Sequence, residues 1–222
     1  MKYYPICLRV AGRPCLVVGG GRVAEQKVDP LLEAGASTTV VSREITPRLA
    51  ALVSRKALLH HARPYARPDL RGVFLVIAAT DDERTQQQVV RDAQQAGVLV
   101  NVVDRPELCD FIMPSIMRRG DLLIATSTSG GSPALAKRIR RDLDALFGPE
   151  YELAIQVLRR VRQRLRPDTI PLKRRQIFST LIESPLLQYL RDGQVDQVDR
   201  LLTTTTGTDI SLASLGLELR RS

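Results

Sequence analysis

The sequence predicts an α/β chain whose first half carries a parallel sheet and whose second half turns helical. Three observations predict it. Short apolar strands alternate with helical stretches through residues 1–103, the pattern that parallel sheets produce. Two apolar runs around Arg118–Asp121 then read as an antiparallel hairpin. Beyond them, residues 150–202 are helical in pattern and rich in arginine, with breaks at Pro167, Pro171 and Pro185.

Taken in order, Cys15–Val18 is a buried strand, and Gly19-Gly20-Gly21 follows it directly. A helix is expected over Arg22–Glu33, stopping at Gly35. Pro30 lies inside it and should kink it or shorten it near Asp29, because proline lacks a donor and clashes with the preceding turn. Thr38–Val41 is the second strand. Ile45–Ser54 follows as a helix, with Thr46 as cap and Pro47 at its first position. Leu58–Tyr65 is a weaker strand. Val73–Ala79 is continuous and apolar, so it should be central and covered on both faces. Asp81 and Asp82 are read as caps of a helix over Glu83–Ala96, closed by Gly97. Val98–Val103 is the next strand, ending at Asp104. Phe111–Met117 and Leu122–Thr128 form the hairpin, Ser129–Ser132 a polar loop, and Pro133 opens a basic amphipathic helix to about Phe147. Thr203–Thr208 reads as a low-complexity linker, and Asp209–Leu219 as a short closing helix.

Composition bounds the function. No apolar run approaches the roughly 20 residues of a membrane helix, and Met1–Pro5 begins no secretory signal, so a cytoplasmic protein without a membrane partner is expected. Cys7, Cys15 and Cys109 lack metal or redox spacing and are read as small buried hydrophobes. His60 and His61 are the only histidines, which argues against a structural zinc site. The formal net charge is +9, and residues 137–175 hold 12 basic and 5 acidic side chains. That excess calls for a polyanionic partner or a solvated helical face: nucleic acid, acidic lipid and a polycarboxylate small molecule all satisfy it.

The site is written at strand ends. Gly19-x-Gly21-x-x-Ala24 follows a strand and opens a helix, the context of a dinucleotide-binding Rossmann unit. Gly19 permits the tight turn, Gly21 lets a pyrophosphate approach, and Ala24 allows close helix–strand packing. Gly20, Arg22 and Val23 complete the loop, whose amides and helix dipole favour an anion. At the second strand's end, Ser42 and Glu44 suit the ribose hydroxyls of NAD, whereas Arg43 leaves NADP open. Thr80, after the central strand, is a further candidate cofactor contact. Asp104 either accepts a proton while hydride leaves for a nicotinamide or caps the turn before Arg105-Pro106. The Ser127–Ser132 loop either holds a carboxylate with its hydroxyls and amides or is a plain connector.

Five blocks read together resemble the precorrin-2 dehydrogenase/sirohydrochlorin ferrochelatase family, the N-terminal module of siroheme synthases. They are Val17–Ala24, Ala78–Asp82, Asn101–Asp104, Phe111–Ile116 and Ser129–Ala136. The resemblance runs from Tyr4 to about Phe147 and more loosely to Leu202. It implies an NAD-binding Rossmann domain over residues 1–112, a dimerisation segment with β-hairpin and helix over 113–148, and a helical C-terminal domain over 149–222. It further implies a homodimer with the substrate between domains, NAD as hydride acceptor, and conversion of precorrin-2 to sirohydrochlorin. Asp104 then matches the family's catalytic aspartate, and Asn101, Ser127, Thr128 and Ser129 fall among the expected substrate contacts. Some members also insert Fe(II). Here no histidine lies in the second half, so a metal would rely on carboxylates, Asp104 first, and on macrocycle nitrogens. A carboxylate-rich tetrapyrrole accounts for the basic segment without nucleic acid. Pro30 departs from the family pattern, and a chain ending at Ser222 is expected to leave methylation to another protein. Two other readings stand beside this one: an NAD-sensing regulator with a nucleic-acid-binding second half, and a Rossmann reductase for another carboxylated substrate. The basic helices lack the interleaved aromatics and recognition helix that the first would need.

Overall fold

The computed structural model describes residues 2–165 and 170–218. The chain divides into two compact units, Met1–Met113 and Pro114–Ser222. In the first, β1 (Pro14–Val18), β2 (Ser37–Val41), β3 (Leu59–His61), β4 (Leu75–Ala78) and β5 (Leu99–Val102) form one parallel sheet in the order β3-β2-β1-β4-β5. The helices α1 (Arg22–Glu33), α2 (Pro47–Ser54) and α3 (Glu83–Ala96) connect the strands. Alternation along the strands divides the core. Cys15, Val17, Val40 and Ile77 meet Val28 and Leu31 of α1 and Leu49 of α2, while Leu16, Val76, Val100 and Val102 meet Val89 and Ala93 of α3. Both sheet faces are therefore covered, and the central strands β1 and β4 are apolar throughout, as expected of a parallel sheet.

The caps follow the sequence closely at two helices. Thr46 accepts a hydrogen bond from the Leu49 amide at 3.3 Å to start α2, and Gly97 takes the left-handed conformation that ends α3. Elsewhere the chain departs from the expectations. α1 is not shortened at Asp29 but runs through Pro30 to Glu33. Proline removes one late hydrogen bond, while Val28 and Leu31 on either side of it are buried against the sheet and hold the last turn. The weak strand contracts from Leu58–Tyr65 to Leu59–His61, because Pro64 lies within the expected range and the chain then turns to Arg67–Leu70.

The second unit begins with the hairpin β6 (Ser115–Arg119) and β7 (Leu122–Thr126). Its turn is the two residues Gly120 and Asp121; Arg118 and Arg119 belong to the strand. Among the described residues five helices follow: α4 (Pro133–Leu146), α5 (Glu150–Arg164), α6 (Pro171–Glu183), α7 (Leu186–Arg191) and α8 (Val195–Thr206). Pro171 opens α6 and Pro185 precedes α7, and the break expected at Pro167 lies outside the described residues. Thr203–Thr206 are no linker but the last turn of α8. There the Thr206 hydroxyl donates back to the Leu202 carbonyl at 2.8 Å, and Leu202 and Thr206 are both buried. Nor is there a closing helix within 209–218. That segment runs as successive turns that bury Ile210, Leu212, Leu215 and Leu217 in the core of the helical unit.

Candidate functional site

All five strands of the first unit run parallel, so their carboxyl ends lie along one edge of the sheet. That edge collects the glycine loop after β1, Ser42–Glu44 after β2, Thr80 after β4 and Asp104 after β5. The chain leaves β1 toward β2 on one side and returns to β4 on the other. The switch point, where such sheets bind ligands, is therefore at Gly19–Gly21.

The three glycines have three different reasons. Gly19 has φ +121°, and a β-carbon there would lie 2.1 Å from the Ala79 carbonyl oxygen. A β-carbon on Gly20 would lie 1.9 Å from the Glu44 carbonyl oxygen and 2.8 Å from Ser42 Oγ. A β-carbon on Gly21 would meet no atom within 4 Å beyond its own chain neighbours and helix backbone, and its φ is an ordinary −84°. Neither packing nor backbone conformation requires glycine at that position. Gly21 is also the N-cap of α1 without any side-chain cap, so the helix opens with backbone donors facing that space. Ala24, fully buried, sets α1 against the sheet, while Arg22 and Val23 stay exposed. A dinucleotide's pyrophosphate fits this donor set and this opening.

The end of β2 is stitched to the same loop. The Gly19 amide donates to the Val41 carbonyl at 2.9 Å and the Thr46 amide to the Gly20 carbonyl at 3.0 Å. Ser42 is half-buried beside Gly20, and Arg43 and Glu44 are exposed. His60 Nε2 bonds the Ser42 carbonyl at 2.9 Å, a support that the sequence did not signal. Thr80 is half-buried, and its carbonyl accepts from the Gln86 side chain at 2.7 Å. Gln86 was not singled out from the sequence. Its signal was a polar residue on the buried stripe that it shares with Val89, Val90 and Ala93. Of the adjacent aspartates only Asp82 caps α3: it accepts from the Arg84 amide at 3.2 Å and from the Thr85 hydroxyl, which holds its carboxyl below the usual range. The cap role expected of Asp81 falls to Asp82 alone.

Asp104 is exposed and takes φ +61°, the left-handed region. It stands where the chain turns away from the sheet, between the Val103 amide bonded to the Ala78 carbonyl at 3.0 Å and the Arg105 amide bonded to the Val102 carbonyl at 3.3 Å. Asn101 is buried, and its Nδ2 donates to the Phe111 carbonyl at 2.9 Å. That places its amide inward, as a brace, rather than toward a ligand. Among the cysteines Cys15 is buried as expected, with burial pushing its thiol up to about 11. Cys7, by contrast, is exposed near the chain start, where no sheet covers it, and Cys109 is half-buried within hydrogen bonds.

In the second unit, Ser127, Thr128 and Ser129 form the turn ahead of α4. Ser127 Oγ accepts from the Ser129 amide at 3.1 Å, Thr128 Oγ1 from the Ser132 amide at 2.9 Å, and Ser132 Oγ caps the helix at Leu135. These oxygens serve the loop's own backbone and still carry hydroxyl protons to donate. The basic segment is partly paired: Arg138 with Asp142, Arg140 with Asp144, and Arg159 with Asp121, while Arg160 and Arg164 donate to carbonyls of Ser214–Gly216. Among the described residues no group of three or more histidines, cysteines or carboxylates is placed to hold a metal, and no helix is long and apolar enough to cross a membrane.

Comparison with known proteins agrees with this geometry. A family model described as "Putative NAD(P)-binding" matches residues 6–115. The chain is 37% identical over 206 residues to a siroheme synthase of Methylococcus capsulatus, covering 91% of this chain and 43% of that protein. It is 46% identical over 151 residues to a siroheme synthase of Methylobacillus flagellatus, covering 68% and 32% respectively. The chain thus spans less than half the length of these curated relatives. A solved structure titled "SirC, precorrin-2 dehydrogenase" superposes with a TM-score of 0.77 at 25% identity, over 93% of this chain and all of that one.

Proposed function

Because the chain belongs to the precorrin-2 dehydrogenase family, we propose that it oxidises precorrin-2 to sirohydrochlorin with NAD as hydride acceptor. The observation that carries this reading is the single sheet edge that gathers an uncapped helix start, an open Gly21 and a carboxylate at Asp104. The oxidation removes two electrons and two hydrogens from the macrocycle. Bound NAD would supply the acceptor for one hydrogen with its electron pair, as a hydride. The other leaves as a proton, and the exposed Asp104 carboxylate takes it. The amides at the start of α1 would hold the pyrophosphate, and Ser42 and Glu44 would hold the adenosine ribose. Thr80 lies at the end of β4, on the far side of the switch point from the ribose contacts. Hydroxyls of Ser127, Thr128 and Ser129 offer donors to substrate carboxylates, which supports a place for them in substrate binding.

Partner choice follows the same chemistry. A tetrapyrrole rich in carboxylates suits the basic second half, although the local pairing of its arginines leaves fewer of them for the substrate than the formal charge implies. We assign residues 113–148 to a homodimer interface. Ile116 and Leu123 on the hairpin, and Leu135, Ile139 and Leu146 on one side of α4, are large apolar residues left exposed in the single chain.

The test is turnover of Asp104→Asn with precorrin-2 generated in situ and followed anaerobically by its visible spectrum. The amide keeps the size and removes the base, so the rate should fall by about 10²–10⁴-fold while NAD affinity holds. Near-wild-type turnover by the folded variant would remove Asp104 from the mechanism. The same variant, supplied with sirohydrochlorin and Fe(II), asks whether metal insertion occurs and whether it uses this carboxylate.

A further inference from the structure

β5 is an edge strand, and its outward backbone groups meet side chains instead of another strand. On its inner side the strand pairs with β4. On its outer side the Val100 amide donates to Asp110 Oδ2 at 3.0 Å, and the Val102 amide donates to Cys109 Sγ at 3.1 Å. The Asp110 amide returns a hydrogen bond to the Val100 carbonyl at 2.9 Å. From inside, Asn101 Nδ2 reaches across to the Phe111 carbonyl at 2.9 Å. Residues 109–111 are thereby clasped along β5, and the intervening segment is forced out as a loop, with Asp104 at its first bend.

That bend holds a left-handed aspartate, a conformation a non-glycine residue keeps only when its surroundings impose it. The thiol suits the clasp because it acts in both directions. Sγ accepts the Val102 amide and lies 3.3 Å from the Val102 and Arg105 carbonyls, to either of which it can donate. Burial raises the Cys109 thiol above its ordinary range, with Glu107 and Asp110 adding to the rise and Val102 and Lys27 opposing it. It therefore keeps the proton it donates. The exposed pairs of Arg105 with Glu107 and Glu83 contribute little by comparison.

We propose that Cys109, together with Asn101 and Asp110, is a positioning residue for the dehydrogenation: the clasp fixes the backbone that carries the Asp104 carboxylate. This rests on the reading of Asp104 as the proton acceptor. A misplacement of about 1 Å in a catalytic group costs up to roughly 10²-fold in rate, so a loosened clasp should act on turnover and not on the glycine loop.

The experiment compares the full chain with Cys109→Ala, Cys109→Ser and Asp104→Asn, measuring kcat, the KM of precorrin-2, NAD affinity by titration and melting temperature. Cys109→Ala should lower kcat by about 10-fold or more, with smaller change in KM and NAD binding intact. Cys109→Ser keeps a donor and an acceptor and should restore most of the lost rate. If Cys109→Ala turns over normally beside an inactive Asp104→Asn, the clasp plays no positioning part and only this proposal fails. If serine is as impaired as alanine, volume and not hydrogen bonding matters, and the proposal fails too. If Asp104→Asn itself retains wild-type kcat, the reading of Asp104 fails and the clasp has nothing catalytic to position. Should Cys109→Ala not fold, the serine variant decides: kcat within about threefold of wild type supports the clasp, and a larger loss with an unchanged melting temperature overturns it.

Discussion

The carbonyl oxygen of Glu44 occupies the place where a β-carbon on Gly20 would stand, 1.9 Å from it. The glycine loop and the end of β2 are packed against each other through that contact. Gly20→Ala should therefore cost about 1–3 kcal/mol of stability and separate the two halves of the dinucleotide site. Gly21→Asp should do the opposite. A β-carbon on Gly21 would meet nothing within 4 Å beyond its own chain neighbours and helix backbone, and aspartate is a better N-cap than glycine, so the fold should keep or gain a few tenths of a kcal/mol. Its side chain would nevertheless enter the space proposed for the pyrophosphate. Thermal melting and NAD titration on both variants check the pair; a destabilised Gly21→Asp, or one that binds NAD normally, would contradict it.

Cofactor choice is predicted from the residues after β2. Ser42 and Glu44 should favour NAD over NADP by direct titration, because a 2′-phosphate would meet the Glu44 carboxylate. Arg43, exposed at the same turn, is the residue through which an opposite preference would arise. Clearly tighter NADP binding would overturn the ribose assignment.

The start of α3 separates two adjacent aspartates. Asp82→Ala removes the acceptor for the Arg84 amide and should lower the melting temperature by about 2–4 °C. Asp81→Asn should leave it unchanged, since Asp81 is not the cap. Equal effects of the two substitutions would contradict the cap geometry.

Acid should loosen the helical unit through Glu150. This carboxylate is buried, and its oxygen accepts from Arg191 Nη2 at 2.6 Å, which joins α5 to α7. Burial pushes its pKa up, but the Arg191 hydrogen bond and charge, with backbone donors at the helix start, bring it below the usual carboxylate value. A depressed folded pKa means the stabilisation is complete above the unfolded value near 4.5 and is lost as pH falls through the folded one. Melting temperature measured from pH 6 to pH 3 should therefore fall more steeply in the wild type than in Arg191→Met. That variant should already melt about 2–4 °C lower at neutral pH, a modest loss because water reaches the arginine.

Assembly is predicted from the exposed apolar residues of the hairpin and α4. Sedimentation should give a dimer at micromolar concentration, and Leu135→Glu with Ile139→Lys should shift it to monomer without lowering helix content. A monomeric wild type would sink this assignment.

Much of the first unit was legible because each element announced itself locally. Thr46-Pro47 marked a helix start, Gly97 a helix stop, and the run Val73–Ala79 a doubly covered strand, which forms over Leu75–Ala78. The errors share a cause: tertiary contacts overrode local signals. Pro30 reads as a breaker, but the buried Val28 and Leu31 carry α1 past it. Thr203–Thr206 read as a linker, but Leu202 and Thr206 face the core and the threonine hydroxyls bond back to the chain. Asp209–Leu217 has apolar residues enough for a helix, yet they are held by turns against α5 and α8. Within the site, the glycine loop could be placed from spacing, whereas spacing left Asp104 open between a proton acceptor and a turn cap. The inward turn of Asn101 could not, because its partner, the Phe111 carbonyl, is a backbone atom that no sequence pattern names.

The same side chains that hold Asp104 also decide what the sheet offers to other molecules. An open parallel sheet has two borders, each a row of backbone groups on which a foreign strand could grow. Here one border, β3, is only three residues long. At the other, the outward amides of Val100 and Val102 are already taken by Asp110 and Cys109. Neither border is a template for polymerisation. A chain whose cysteine and aspartate were both replaced by alanine would thus risk more than a displaced loop at Asp104: it would expose a bare apolar border, and aggregation on heating should rise with the same two substitutions.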